Sequence, residues 1–523
     1  LSDIQAYAGD DGTPAGSTAP VEADYVSVGV APALAGDTGL LDSVNTVLAS
    51  SPVEGDNAGA AADVSTAAKV KDLFSHYDAI RTANGDGSLG LNQSQYEALG
   101  LGATVDFTSN GTQKLALLND VLDDRSGADT ANVDTWDKLN ALAGAVEKLI
   151  DAASGVEDGS ALTVSDFTDL GLSNVDADNL NAVVETVKDS GAASADSISD
   201  LDGLVGASGS SDLSTGIGLY QDSVDRIKDY ADDSGNSVPD ANDYRLAGVD
   251  LSVQSALGTD TEFVTALNTV LAANTVDNQN PIDESKADTT DKIQGITDQY
   301  ATILDATAQG SPLTLTDSDY GLLGLTGVSS DAAAASLLSS ALPGKAVDEV
   351  DSWDELEALA VTAKEVIDSA TNTSVSSSLS ASDLNDLGLS TVTPDNLDAV
   401  LQAIADSNPA NLEVLSDGDA DITNDLTSVV GTAVSDFDSA LTAVKNYAGD
   451  GTNDIGQDGS NSDYPEPTDA QYQALGVDFA NYTNASQLAD SVNTVLASGP
   501  VEGDNASAPA DVSTAAKVKD LFS

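Results

Sequence analysis

The stretch VDTWDKLNALAGAVEKLIDAASGVEDGSALTVSDFTDLGLSNVDADNLNAVVETVKDS, residues 133–190, contains the pattern that decides the fold. Apolar residues at the spacing of one helical face run through its first part, at Leu139, Leu142, Ala143, Val146, Leu149, Ile150 and Ala153. Asp134 or Thr135 can cap the start of this predicted long helix, and Gly155 follows its end.

Two further helices are predicted in the same stretch. A short helix around Phe167 has Ser165 as its predicted cap and Gly171 as the left-handed residue that ends it, and Asp176 or Asp178 starts a third helix. Three amphipathic helices with about a dozen core side chains make a unit that is marginally stable alone. The polar linkers between such units allow separate beads or a continuous rod, and their lack of Gly runs favours fixed stacking.

The short helix belongs to a signature that occurs seven times. In each copy an Asp or Gln precedes Tyr, Phe or Leu, and a Gly between apolar residues follows. The copies are DYVSVGV from Asp24, QYEALGL from Gln95, DFTDLGL from Asp166, DYRLAGV from Asp243, DYGLLGL from Asp319, DLNDLGL from Asp383 and QYQALGV from Gln471. They predict an all-α tandem array of small three-helix modules in the order A-B-C-A-B-C-A, an elongated rod or filament. The predicted modules are A1 (1–76), B1 (77–149), C1 (150–219), A2 (220–299), B2 (300–370), C2 (371–446) and A3 (447–523).

Longer periods support this order. VDTWDKLNALA at Val133 returns as VDSWDELEALA at Val350, 217 residues further on. Residues 42–75 return as residues 490–523, with 31 of 34 positions identical. Because the chain starts at Leu1, contains no Met and ends inside a second copy, we expect it to be an interior piece of a longer tandem array.

The composition argues against several classes of function. The 523 residues include 87 Asp and Glu but only 18 Lys and Arg, a net charge of −69 that argues against binding to nucleic acid or anionic lipid. With no Cys and one His, disulfides and Cys-based zinc sites are excluded, and a Ser-His-Asp enzyme could use only His76. No stretch reaches the ~20 apolar residues of a membrane-spanning helix. We therefore expect neither an enzyme nor membrane insertion.

Asp-rich loops are the feature with ligand chemistry. Calcium takes oxygen ligands from carboxylates, amides and backbone carbonyls around a Gly-containing turn. The predicted calcium ligands are Asp10, Asp11, Asn84, Asp86, Asp232, Asp233, Asp450 and Asp454. The loop at Asn84 resembles the middle of an EF-hand loop, but Thr82 and Gln93 stand where its first Asp and last Glu belong. The alternative is that these residues form helix caps and turns.

The single His and the aromatic residues are interpreted as structural. His76 is expected to be exposed or partly packed. Trp136 and Trp353 occupy equivalent positions at helix starts and are expected to anchor the core or a contact between modules, with carbohydrate stacking as the alternative. The Tyr of the short helix recurs with the repeat, which predicts a core position for Tyr25, Tyr96, Tyr244, Tyr320 and Tyr472.

The repeats resemble those of a known class of protein. DKIQGITDQYATILDATAQG (Asp291–Gly310) and DSDYGLLGLTGVSSD (Asp317–Asp331) are similar to tandem helical repeats of giant secreted bacterial surface proteins, the long, acidic, Cys-free adhesins and biofilm-type proteins. The resemblance covers the whole chain and implies an extracellular, structural role at the bacterial cell surface. The three-helix layout is also similar to that of small albumin-binding modules, in layout only.

The sequence therefore predicts a structural repeat protein, a segment of a long surface adhesin or stalk or of a self-assembling extracellular filament. The expected partners are neighbouring repeats or further copies of the chain. Assembly of such acidic surfaces is expected to need calcium, other cations or high salt. The alternative is an adhesive module that recognises a host, matrix or carbohydrate ligand through exposed loops.

Overall fold

A computed structural model of the chain describes residues 1–8, 18–49, 64–83, 87–126, 133, 135–157, 159, 161–273, 287–412, 414, 425–448, 465–477, 479, 484–497 and 512–522. Every regular element in these ranges is a helix, and they contain no strand, so the all-α prediction is confirmed.

The α-helices of the described ranges differ widely in length, from 4 residues in the shortest to 23 in the longest. In chain order they are α1 Ser2–Tyr7, α2 Glu22–Ser27, α3 Pro32–Ala35, α4 Thr38–Ala49, α5 Ala67–Thr82, α6 Gln93–Ala98, α7 Gly111–Ser126, α8 Trp136–Ser154, α9 Val164–Asp169, α10 Leu180–Ser190, α11 Ile198–Val205, α12 Gly216–Asp232, α13 Ala241–Leu246, α14 Asp260–Ala272, α15 Thr290–Gln309, α16 Asp317–Leu322, α17 Ala332–Ala341, α18 Trp353–Asn372, α19 Ala381–Asp386, α20 Leu397–Ala405, α21 Leu426–Ala448, α22 Asp469–Ala474, α23 Ala485–Ala497 and α24 Ala515–Asp520. Short 3-10 turns occur at Leu101–Ala103, Ala192–Ser194, Leu251–Val253, Leu342–Gly344, Val347–Glu349 and Pro409–Asn411.

Most of the described helices fall into three classes, and α1, α3, α11 and α24 belong to none of them. The long helices are α5, α8, α12, α15, α18 and α21. The short helices, each six residues long, are α2, α6, α9, α13, α16, α19 and α22. The third helices are α4, α7, α10, α14, α17, α20 and α23. Each short helix contains one copy of the signature.

The chain divides into two compact units. Unit 1 comprises Leu1–Ile227 and Asn242–Asp250, and unit 2 comprises Lys228–Ala241 and Leu251–Ser523. In unit 1 a single cluster of buried apolar side chains extends from Ile4 to Ile217. The repeats of unit 1 therefore share one core and are not separate beads.

The long helices explain why the core is shared. α5, α8, α18 and α21 each pack against the third helix that precedes them, and also against the short helix and the third helix that follow. All seven residues of the apolar stripe predicted for α8 are buried, and so are Ala145 and Ala152, which lie outside that stripe. A long helix thus buries more than one face because it has neighbours on both sides in sequence.

The six predicted module boundaries all lie inside long helices. They follow residues 76, 149, 219, 299, 370 and 446, which belong to α5, α8, α12, α15, α18 and α21. Each of these helices would contribute to two neighbouring modules. The boundaries themselves stay a prediction.

The first residue of the signature closes the start of the short helix. In α9 the Asp166 carboxylate accepts the backbone N–H of Thr163 at 2.8 Å, while the Thr163 hydroxyl accepts the backbone N–H of Asp166 at 3.4 Å. This reciprocal arrangement is a capping box. The prediction of Ser165 as the cap is therefore wrong. The cap is Thr163, because Asp166 at the third helical position bonds the residue three places before it.

The same capping bond occurs in five other short helices. The signature side chains that accept the backbone N–H three residues earlier, at 2.7–2.9 Å, are Asp24, Gln95, Asp319, Asp383 and Gln471. In α13 the corresponding Asp243 pairs with Arg226 of α12, at 2.9 Å. An acid or amide at this position therefore has a local structural use in every copy.

The Gly of the signature ends each short helix in the left-handed region. The φ values are +93° at Gly29, +95° at Gly100, +93° at Gly171, +79° at Gly248, +73° at Gly324, +115° at Gly388 and +82° at Gly476. In α9 the backbone N–H of Leu172 then donates to the carbonyl of Phe167 at 2.9 Å, and that of Gly171 to the carbonyl of Thr168 at 3.0 Å, the two bonds of a Schellman motif. Leu172 is buried, so the same turn places an apolar residue in the core.

The aromatic residue of the signature joins the short helix to the third helix. Tyr25, Tyr96, Tyr244, Tyr320 and Tyr472 are completely buried, as predicted. In α6 the Tyr96 hydroxyl donates to Asn119 Oδ1 of α7 at 2.8 Å, and Asn119 Nδ2 donates to the Leu91 carbonyl at 2.9 Å. Asn45 and Asn493 make the equivalent two bonds, and Ser339 has the equivalent place opposite Tyr320. The buried hydroxyl is therefore satisfied by the helix that it contacts.

Two Gly-to-Ala substitutions in unit 2 test the role of the signature glycine. Gly388→Ala places a Cβ at φ +115° and should destabilise the protein by about 1–2 kcal/mol. The matched control is Gly295→Ala inside α15, where a Cβ meets nothing within 4 Å and should stabilise by about 0.5–1 kcal/mol. Urea unfolding of the full chain followed by circular dichroism measures both. Equal effects of the two substitutions would contradict this account.

Candidate functional site

The predicted calcium ligands lie mostly outside the described residues. Those outside them are Asp10, Asp11, Asn84, Asp86, Asp450 and Asp454. Asp232 and Asp233 are described, and both are exposed at the end of α12. No group of three His, Asp or Glu side chains that could hold a metal ion occurs in the described parts of the chain.

The loop after α12 shows what an Asp-rich turn does in this fold. Asp233 Oδ1 accepts the backbone N–H of Gly235 at 2.8 Å, and Asn236 Nδ2 donates to the carbonyl of Asp229 at 2.8 Å. Both bonds satisfy backbone groups at the end of the helix. The alternative stated for these loops, a turn built by Asp, Asn and Gly, therefore describes residues 233–236. Calcium binding by Asp232 and Asp233 stays a prediction.

His76 and the two Trp residues lie in packed positions. His76 is half-buried in α5, and burial lowers its pKa against the opposing charge of Asp72. Trp353 Nε1 donates to the Leu323 carbonyl at 3.0 Å, and its backbone N–H donates to Thr269 Oγ1 of α14 at 3.0 Å. Trp136 packs against the core of unit 1. These contacts agree with the predicted anchoring role.

A groove of about 690 Å³ lies in unit 2 beside α17. It is lined by the loop 310–317 and by Ser336, Ser339 and Ser340 of α17, together with Pro343. The equivalent face of α7 in unit 1 is covered by α11, whose Ile198 backbone N–H donates to Asp120 Oδ2 at 2.7 Å. In unit 1 the corresponding face is thus occupied by a helix of the same unit. The groove in unit 2 is therefore not by itself evidence for a ligand-binding site.

A buried ion cluster that the sequence analysis missed joins α7 to α8. Lys114 of α7 is completely buried, and its Nζ lies 2.9 Å from Glu147 Oε2 and 2.8 Å from Asp151 Oδ1 of α8. The amine also donates to the Asp106 carbonyl at 3.0 Å. Burial acts to lower the pKa of Lys114, but the two carboxylates outweigh it and the pKa is raised. The lysine is therefore charged at neutral pH.

A second polar contact joins a Thr hydroxyl to the long helix in both units, but its acceptor is an amide in one unit and a carboxyl in the other. In unit 1 the Thr104 hydroxyl donates to Asn140 of α8. In unit 2 the Thr326 hydroxyl donates to Glu357 Oε1 of α18 at 2.7 Å. Glu357 lies 217 residues after Asn140, so the same position has a neutral amide in one unit and a carboxyl in the other. Burial raises the pKa of Glu357, against the lowering effect of its bonds with Thr326 and Gly327.

Comparisons with known proteins place no constraint on these sites. The chain gives no significant match to a protein-family model, to a curated protein or to a solved structure. Among the described helices, none has both the length and the apolar content needed to cross a bilayer.

The carboxyl of Glu357 should make the stability of the protein depend on pH. Because its pKa is higher in the folded state than the usual 4.5, stability should rise as the pH falls through the folded-state pKa toward that value. Glu357→Gln should stabilise the protein at pH 7, by about 1 kcal/mol or less because the group is partly exposed, and the gain should vanish near pH 4. Thermal unfolding across this pH range measures the effect.

The control for that measurement removes a charge without burial. Glu157 is exposed after α8, so Glu157→Gln should leave the pH dependence as in the unsubstituted chain. A gain for Glu357→Gln that persists unchanged at pH 4 would show that the buried charge is not its cause.

Proposed function

We propose that this chain is a structural segment of a long extracellular repeat protein, a stalk, adhesin or filament subunit at a bacterial surface. In this proposal the helices form three-helix modules that continue one another in series. One observation carries it: four long helices pack against both the preceding third helix and the following pair of helices. A contact whose two sides differ, and which recurs along the chain, can be repeated in series, as in solenoid proteins.

The uses of the recurring residues support a structural role. The signature acid or amide caps the short helix or, at Asp243, pairs with a neighbouring helix; the aromatic residue fills the core; and the Gly ends the helix. The residues that the repeats preserve are thus used for folding. The large negative charge would keep such repeats apart in solution, with a range of about 10 Å at 0.1 M salt.

Small-angle X-ray scattering of the full chain tests the proposed architecture. A compact protein of 523 residues would have a radius of gyration of about 24 Å, whereas modules stacked in series should give roughly twice that value. The cross-section should remain that of a few packed helices. A radius of gyration near the compact value would contradict the stalk and filament interpretation.

Calcium dependence separates a cation-stabilised stalk from one that needs no ion. A single site with a Kd of about 0.1 mM should stabilise the chain by about 2.7 kcal/mol at 10 mM calcium. The Tm should rise with calcium, return on addition of a chelator, and respond less to magnesium at equal ionic strength. Asp450→Asn with Asp454→Asn should reduce the rise. An unchanged Tm would remove calcium from the proposal.

A further inference from the structure

The contact between α7 and α8 in unit 1 and the contact between α17 and α18 in unit 2 use nearly the same apolar residues. α8 buries Leu139, Leu142, Ala143, Leu149 and Ile150, and α18 buries Leu356, Leu359, Ala360, Val366 and Ile367 at the positions 217 residues further on. Leu117 and Leu118 of α7 correspond to Leu337 and Leu338 of α17. Val121 and Val146 have the smaller residues Ala341 and Ala363 as counterparts, but the shared leucines and Ile150 leave apolar packing alone insufficient to specify the partner of α7.

The positions of the charged residues differ between the two contacts. The residue of α18 that corresponds to Glu147 is Lys364, so an acid in unit 1 is replaced by a base in unit 2. Asn119 of α7 and Ser339 of α17 each bond the Tyr of the signature, so the two helices can be aligned on these residues. In this alignment the residue of α17 that corresponds to Lys114 is Ala334. Ala334 is completely buried, as Lys114 is. The cation therefore belongs to the third helix in unit 1 and to the long helix in unit 2.

The carboxylate that faces the cation from the other helix belongs to α17 in unit 2, while Asp368 keeps the position of Asp151 on the long helix. Lys364 Nζ lies 3.5 Å from Asp331 Oδ2 at the start of α17 and also bonds Asp368 of its own helix. Asp331 is fixed in place as the cap of α17, because its Oδ1 accepts the backbone N–H groups of Ala333 and Ala334 at 3.1 Å. Each native contact therefore pairs a cation on one helix with a carboxylate on the other.

Exchange of partners would bring like charges together. If α7 packed on α18, Lys114 would lie beside Lys364 and would keep only one of its two carboxylates, Asp368 at the position of Asp151. If α17 packed on α8, Asp331 would lie beside Glu147 and Asp151 with no cation on the third helix. Lys364 and Asp331 are partly exposed in unit 2, so the cost is greatest for the completely buried Lys114, which would lose a carboxylate and gain a like charge where little water is present to screen it. Repulsion of this kind discriminates between competing partners even where the attractive contacts are alike.

We propose that these two ion clusters direct each third helix to its own long helix and so prevent exchange between related repeats, within one chain or between two chains. Repeats as similar as these are prone to such misassembly during folding. The proposal does not depend on the proposed function, since it concerns pairing of helices and holds for a compact protein as well as for a stalk.

Crosslinking of the full chain reports which helices have paired. The chain contains no Cys, so introduced thiols react alone. Thr104→Cys with Asn140→Cys marks the native contact, because these side chains are hydrogen-bonded, and Thr104→Cys with Glu357→Cys marks the exchanged one. Each chain is unfolded in urea, refolded by dilution and treated with a short thiol-reactive crosslinker. Mass spectrometry then separates links within a chain from links between chains.

The charges of unit 2 are next introduced into unit 1. The variant Gly111→Asp, Lys114→Ala, Glu147→Lys gives the contact of α7 and α8 the arrangement found at α17 and α18, without change in net charge. A Cβ at Gly111 meets Phe107 at an ordinary 3.5 Å. The control reverses a half-buried pair within a single helix, α10, Glu185→Lys with Lys188→Glu, whose charges are 3.1 Å apart.

We expect the native link to dominate in the unsubstituted background and in the control. In the variant with transferred charges, the exchanged link should increase at least tenfold. An equally low yield of exchanged link in all three backgrounds would overturn the proposal. If the triple variant does not refold, Lys114→Glu with Glu147→Lys asks the same question with the pair reversed in place, and an unchanged yield there overturns it as well.

Discussion

Burial of a single side chain in each short helix, the Tyr, Phe or Leu of the signature, determines how the other helices are arranged. A helix of six residues is not stable in water by itself, because too few hydrogen bonds offset the cost of ordering its backbone. In α9 the capping box closes one end and the left-handed Gly closes the other. The side chain between them is then removed completely from water, and it fixes the third helix against the short one.

The buried hydroxyl explains a correlation between two positions of the repeat. Where the signature has Tyr and the bonds are described, the third helix supplies Asn or Ser. Phe167 and Leu384 have no hydroxyl, and the corresponding stretches of α10 and α20 read VVETVK and VLQAIA in place of the LLNDVL of α7. The residues at the position of Asn119 are Glu185, which pairs with Lys188, and the exposed Gln402, so neither lies in the core, where there is no hydroxyl to satisfy.

Much of this arrangement follows from local spacing in the sequence. The stripe of α8, the left-handed Gly171 and the buried tyrosines were predictable because each depends on residues a few positions apart. The cap of α9 was assigned to Ser165 because a hydroxyl next to the helix looks sufficient, whereas the bond of Asp166 to Thr163 decides the matter. The pairing of Lys114 with Glu147 and Asp151 could not be predicted, since the partners belong to another helix and depend on how α7 and α8 pack. Asp-rich loops gave a similar ambiguity, because a ligand for calcium and a cap for a turn need the same atoms.

The buried tyrosines also make the fold sensitive to base. Burial raises the pKa of the phenol well above its usual range at Tyr25, Tyr96, Tyr320 and Tyr472, because a phenolate would be cut off from water. Since the same phenols ionise near pH 10 in the unfolded chain but not in the folded one, the free energy of unfolding should fall as the pH rises above about 10. Alkaline conditions therefore favour opening of a repeat, and burial shields the same rings from nitration and halogenation only while the repeat is folded. Chemical durability of the aromatic residues is in this way set by the unfolding equilibrium of the repeat and not by the acidity of tyrosine.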